Sequence, residues 1–164
     1  MEKLNLIDKE KRVYVDESGI NKFYQREHAR ALRGIKVEDT KRGRKFERIN
    51  VIGGLCNGKY IGIKCYKNTT NSIFFEEWFQ NTLIPNLPEN STVIMDNASF
   101  HRKKILNEIA EKFNIKMLFL PPYSPDFNPI EKSWGNLKRN LCDSLKSFQT
   151  ISDAVYSYFG VKEN

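Results

Sequence analysis

Three acidic residues stand where acids are awkward. Asp16 follows the run "RVYV", Asp96 follows "TVIM", and Glu131 lies just past the proline-rich stretch "LPPYSPDFNP". Both aspartates are expected at the carboxyl ends of strands, where ligands gather in α/β sheets. Acids brought together there repel, and each has its pKa raised unless a cation shares the site. Hard oxygen donors without a His or Cys partner suit Mg²⁺ or Mn²⁺. Two such ions about 4 Å apart can activate a water or a 3′-hydroxyl and stabilise the leaving oxygen in phosphodiester cleavage. Simpler roles compete with this chemistry. An Asp after a strand can cap a turn. "NPIE" also fits a helix start, with Asn128 as N-cap, Pro129 at the first position and Glu131 reaching back in a capping box.

The elements that must position these acids are largely readable. "RVYV", residues 12–15, is β-branched and aromatic and predicts a strand. Residues 17–47 read as a loop or irregular hairpin broken at Gly34 and Gly43. "RINVIGGLC" and "KYIGIKCY" flank Asn57-Gly58, which predicts an antiparallel hairpin over 48–66 with a type I′ turn. "SIFFEEWFQNTL" spaces Phe75, Trp78, Phe79 and Leu83 as a helix that Pro85 should stop. "STVIMD" is a short buried strand. Residues 100–113 are helical, with Ile105, Ile109 and Phe113 on one stripe, and "IKMLFL" is a fifth strand. A helix runs from Pro129 to about Leu141 with Ile130, Trp134, Leu137 and Leu141 buried. A last helix uses Ile151, Ala154, Val155, Tyr158 and Phe159. A hairpin followed by strand–helix units gives an α/β fold: a five-stranded mixed sheet with helices on both faces.

The 164 residues are 40% hydrophobic and suit one globular domain, 1–164. No apolar run approaches the roughly 18 residues of a membrane span, so no membrane is expected. Three scattered cysteines, Cys56, Cys65 and Cys142, argue against a disulfide framework or a zinc site and for buried thiols in a reducing, cytoplasmic setting. Net charge is +7, from 27 basic and 20 acidic residues. The basic residues cluster: one run from Arg26 to Arg48 contains Arg42, Arg44 and Lys45, a second is Arg102, Lys103 and Lys104, and a third is Lys132, Lys138 and Arg139. Such clusters fit nucleic-acid phosphates as well as an ordinary solvated surface. Glu131, Gly135 and Lys138 share a helix face, which would suit a phosphate backbone crossing it.

Around the three acids, "VYVDESG", "VIMDNASFH" and "LPPYSPDFNPIEKSWGNLK" resemble the signature blocks of the mariner-superfamily DDE transposases, in particular the bacterial insertion-sequence branch. The 34 residues between Asp96 and Glu131 match that branch, as does "KFERINVIGGL" at 45–55. The resemblance implies an RNase H-like fold, with Asp16, Asp96 and Glu131 as the catalytic, metal-binding triad for Mg²⁺ or Mn²⁺, as two ions. Asn97 and His101 match "DNAxxH" and would lie beside the metals, the alternatives being a helix cap and a solvent-facing histidine. The proline segment would then fix the start of the helix so that Glu131 faces the aspartates. The implied activity is cleavage of DNA strands and joining of 3′-ends to target DNA at TA. The partners implied are transposon ends and target DNA, with a homodimer as the active form in a bacterial cytoplasm, associated with the nucleoid. Family members carry helix-turn-helix domains ahead of the catalytic domain. Those are expected to be absent here, with an upstream helix-turn-helix polypeptide as a partner. The alternative expectation is a truncated or repurposed remnant that binds DNA and cuts nothing. A nuclease of RNA–DNA hybrids is disfavoured by the third block.

Overall fold

The computed structural model describes residues 2–21, 47–121 and 127–161. Five strands form one sheet: β1 (Arg12–Asn21), β2 (Arg48–Cys56), β3 (Lys59–Tyr66), β4 (Thr92–Met95) and β5 (Lys116–Phe119). Their order is β3-β2-β1-β4-β5. β2 is antiparallel to β1 and β3, while β4 is parallel to β1 and β5. A short α1 (Glu2–Asn5) precedes the sheet. The other helices are α2 (Ser72–Trp78), α3 (Lys103–Lys112), α4 (Pro129–Ser144) and α5 (Ile151–Phe159). The strand order and mixed directions agree with the expected RNase H-like fold.

Period-2 alternation along β1 divides the core into two layers. Val13 and Val15 pack with Phe75, Trp78 and Phe79 of the α2 region and Leu106 of α3. Tyr14 and Ile20 face the other way, against Ile130, Trp134 and Leu137 of α4 and Val155 of α5. Helices therefore cover both faces, as the mixed sheet requires if its central strands are to be dry on each side.

The hairpin forms as its sequence demands. Asn57 and Gly58 both have positive φ, 49° and 75°, the requirement of a type I′ turn. Trp78 is fully buried and donates its indole N–H to Gly62 O at 2.7 Å. Gly62 has φ +58, and a Cβ there would stand 3.0 Å from Leu83 Cα. Only glycine lets β3 approach the end of the second helix so closely.

Several expectations are corrected. β1 does not stop at Val15: it runs to Asn21, paired with β2 from Tyr14↔Leu55 to Asn21↔Arg48. The stretch "ESGIN" has weak strand preference of its own, and the ladder with β2 supplies it. What ends at Val15 is the parallel pairing to β4, whose last pair is Val15↔Met95. Pro85 does not stop the second helix. The chain passes from α2 through a π turn (Phe79–Leu83) into a 3₁₀ turn (Ile84–Asn86), where a proline near the first position loses no needed donor. On α3 the buried residues are Leu106, Ile109 and Ala110, and Phe113 is exposed, because the helix ends at Lys112. Tyr158 of α5 is likewise exposed. Of the thiols, Cys56 is buried but Cys142 is exposed on the outer side of α4. The segment 22–46, with Gly34 and Gly43, and residues 122–126 of the proline stretch lie outside the described residues. Among the described residues no helix is long and apolar enough to cross a membrane.

Candidate active site

Asp16 lies one step past the last parallel pair on β1, and Asp96 one step past it on β4. Parallel strands in register thus bring the two aspartates to the same level, where the β1–β4 ladder ends, although Asp16 lies within β1 and not at its carboxyl end as expected. Asp16 shares a face with Tyr14 and so points to the α4 layer. Glu131 occupies the first turn of α4.

What aims Glu131 is the seating of α4. Ile130, Trp134, Leu137 and Leu141 are all buried, the predicted stripe. Trp134 stacks on Tyr60 of β3, with centroids 5.0 Å apart and planes 17° apart. Ser133 Oγ donates to Tyr60 O–H at 2.7 Å. Glu131 itself is exposed. The capping box does not form: Asn128 makes no side-chain cap bond, and its amide is buried instead. Only the backbone closes the turn, Glu131 N–H donating to Asn128 O at 3.1 Å. Glu131 is therefore free of the competing structural role.

The electrostatics tie the acids together. The Asp16 carboxyl is pushed up to about 7, first by burial, then by the charge of Glu17, with Glu131 and Asp96 adding to the rise. A backbone hydrogen bond at Glu17 opposes it. Asp16 thus feels both other acids of the predicted triad. Among the described residues no group of three acid, histidine or cysteine side chains already stands arranged to hold a metal ion. The donor set is all carboxylate, and burial first, with the neighbouring acid charges adding to it, disfavours an ionised Asp16 in a way a hard divalent cation would relieve, so these residues fit Mg²⁺ or Mn²⁺ in kind.

His101 is not solvent-facing as its alternative reading had it. It is 6% exposed, and its ring packs on Phe75 and on Phe100, each centroid 4.3 Å away. Nδ1 stands 3.2 Å from Asp96 Oδ1, and Nε2 3.7 Å from Glu17 Oε1. Burial would lower the pKa of this imidazole, but Asp96 and Glu17 overcome that and hold it at about 9. Asp96 is lowered in turn, chiefly by His101. Oδ1 of Asp96 also accepts from Ala98 N–H at 3.1 Å. Asn97 is exposed in the same loop and does not cap α3, whose cap position is Arg102.

Glu17 escaped the reading of the sequence. The signal for it was simple alternation: the residue after Asp16 must point to the opposite face. There it meets His101, which the loop after β4 brings in.

Of the residues expected to touch DNA, Lys132, Lys138 and Arg139 are exposed on α4. Arg139 Nη2 donates to Asn136 Oδ1 on the same helix. Arg42, Arg44 and Lys45 lie outside the described residues. In the second basic cluster, Arg102 is committed to Glu76, with Nε donating to Oε1 at 2.7 Å. Lys103 lies over the Phe119 ring.

The fold agrees with the comparisons. Residues 11–153 match the family described as DDE superfamily endonuclease. The fold superimposes on the Mos1 transposase paired-end complex with left transposon end at TM-score 0.73 and 19% identity, covering 99% of this chain and 51% of that one. It superimposes on the Mos1 transposase catalytic domain with Raltegravir and Mg at TM-score 0.64 and 17% identity, covering 99% and 77%. At these identities the likeness is one of fold. An uncharacterized protein, y4pE/y4sA of Sinorhizobium fredii, is 32% identical over 66 residues, 40% of this chain and 46% of that protein. The chain thus spans about half the length of the transposase in the DNA complex. A five-stranded mixed sheet and a family match over residues 11–153, nearly all of its length, make this chain a member of the DDE superfamily endonucleases.

Proposed function

We propose that this chain is the catalytic domain of a cut-and-paste transposase, which hydrolyses DNA strands and joins the resulting 3′-ends to target DNA. The observation that carries the reading is the register of β1 and β4: Asp16 and Asp96 stand side by side one step past the last parallel pair, Val15↔Met95, and Glu131 lies in the first turn of the helix packed on that face of β1. Asp16, Asp96 and Glu131 would hold Mg²⁺ or Mn²⁺, as two ions in this reading. Bound there, such ions activate a nucleophilic oxygen and stabilise the leaving one. The protein's own part is to hold the carboxylates and to carry the phosphate backbone past them. In this reading Lys138, exposed two turns along α4 from Glu131, would contact a phosphate of the DNA backbone. Solved Mos1 complexes containing transposon-end DNA, Mn or Mg support the same class of partner and cofactor.

Joining at TA, action as a homodimer, end recognition by helix-turn-helix domains outside residues 1–164, and work at the nucleoid of a bacterial cytoplasm extend this reading. They rest on the motif blocks around Asp16, Asp96 and Glu131. The test is Asp96→Asn. It should abolish nicking of supercoiled plasmid in Mg²⁺ or Mn²⁺ while a gel shift on the same DNA stays nearly unchanged. Equal nicking by variant and parent would remove Asp96 from the chemistry. No nicking by the parent, with DNA binding intact, would favour the non-cutting remnant.

A further inference from the structure

We propose that Glu17 and His101 form a buried positioning pair behind Asp96, which fixes Oδ1 and leaves Oδ2 as the oxygen presented to metal. The inference rests on the triad reading above and assigns neither residue as a ligand. Asp96 stands at the free end of β4 with its side chain 55% exposed, so packing alone does not choose its rotamer. Two contacts bear on it, both at Oδ1: a hydrogen bond from Ala98 N–H at 3.1 Å and His101 Nδ1 at an ion-pair distance of 3.2 Å. No described residue donates to Oδ2. His101 is itself held on three sides. Phe75 packs against the ring at a 46° tilt and Phe100 edge-on at 67°, and Glu17 Oε1 lies 3.7 Å from Nε2. The ion pair of the next residue, Arg102, with Glu76 ties this loop to α2.

The arrangement has a physical logic. Asp16 and Glu17 are neighbours in sequence but face opposite sides of the sheet. Asp16 turns to the α4 layer and Glu131. Glu17 turns to the α2 and α3 layer, where its Oε1 stands at ion-pair distance from His101 Nε2. One dipeptide of β1 thus supplies a ligand on one face and, through His101, the orientation of a second ligand at the strand end. Outer partners of this kind hold ligand geometry, and their loss commonly weakens metal affinity about 10- to 100-fold.

The test uses this chain, Mn²⁺ as the probe, and the free-Mn²⁺ signal in electron paramagnetic resonance as readout. His101→Leu and His101→Asn both remove the aromatic ring, but the Asn amide can restore a donor near the Nδ1 position. His101→Leu should weaken Mn²⁺ binding about 10-fold or more, and His101→Asn should recover most of that loss. Equal losses in the two would reduce His101 to packing, and parental affinity in His101→Leu would overturn the proposal outright. Should both variants fold poorly, Glu17→Gln, which keeps the shape, must also weaken binding. In EDTA, the ¹⁵N resonances of the His101 ring should shift in both Glu17→Gln and Asp96→Asn. An unmoved ring in either would break the pair. A ring that responds to both, in a parent that binds no Mn²⁺, would leave the pair standing and defeat the metal reading of the triad instead.

Discussion

Asp16 carries a strain that pH exposes. An acid raised to about 7 costs the fold nothing while protonated and destabilises it once ionised. Its favourable contribution is complete below the unfolded value of about 3.9 and is lost as pH rises through about 7. In EDTA, Asp16→Asn should therefore melt above the parent at pH 8, and the gap should close as pH falls through 7 toward 4. A gap that stays constant from pH 5 to pH 8 would contradict the burial and charge argument. His101, also raised, is common to both proteins, so the difference between them isolates Asp16. Glu131 is the opposite case. It is exposed and makes no capping box, so Glu131→Gln should change metal-free stability by less than roughly 0.5 kcal/mol. If it is a ligand, the same change should shrink the rise in melting temperature that added Mn²⁺ gives by binding the folded state. Thermal melts in EDTA and in a Mn²⁺ series read both effects; an undiminished rise would take Glu131 out of the triad.

At the scale of the element, α4 has a buried face and an exposed one. Leu137 is fully buried in the seam against the sheet, and Lys138, one residue on, is exposed. Leu137→Ala should cost about 2–5 kcal/mol, the usual range for a buried leucine lost from a packed core. Lys138→Ala should leave stability within about 0.5 kcal/mol and lower affinity for duplex DNA. Urea denaturation and gel shifts on the two variants separate the faces. A costly Lys138→Ala, or a harmless Leu137→Ala, would mean that α4 sits differently on the sheet. The Trp134–Tyr60 stack and the Ser133–Tyr60 hydrogen bond pin the same helix to the edge strand β3. The aim of Glu131 therefore depends on a strand that carries none of the acids.

For the molecule as a whole, charge would set the mode of the proposed DNA binding. The chain has 27 basic against 20 acidic residues, and Lys132 and Lys138 stand exposed on the helix that bears Glu131. Phosphate contacts release counter-ions and carry no sequence information. This chain alone should bind duplex DNA with little sequence preference. Its affinity should fall roughly 10²-fold or more between 50 and 200 mM salt if about five phosphates are contacted. Fluorescence anisotropy on unrelated duplexes across that range measures the slope. Tight binding to one sequence that persists at 200 mM would mean that this domain reads transposon ends itself.

Local chemistry in the sequence determined most of the elements. Asn57-Gly58 dictates its turn because few other pairs accept positive φ twice, and the stripe from Ile130 to Leu141 dictates which side of α4 is buried. The three acids were legible as candidates because each adjoins a recognisable strand or helix start. Tertiary structure alone decided the rest. "ESGIN" became strand only through its ladder with β2. Phe113 and Tyr158 were left exposed because helix length and neighbours, not periodicity, set the end of a buried stripe. His101 became a buried partner of Asp96 because Phe75, from a distant helix, covers its ring. Glu17 acquired a role only when the loop after β4 delivered that histidine to its face of the sheet. Contacts between residues far apart in sequence leave no periodic trace, because they depend on which surfaces the assembled layers press together.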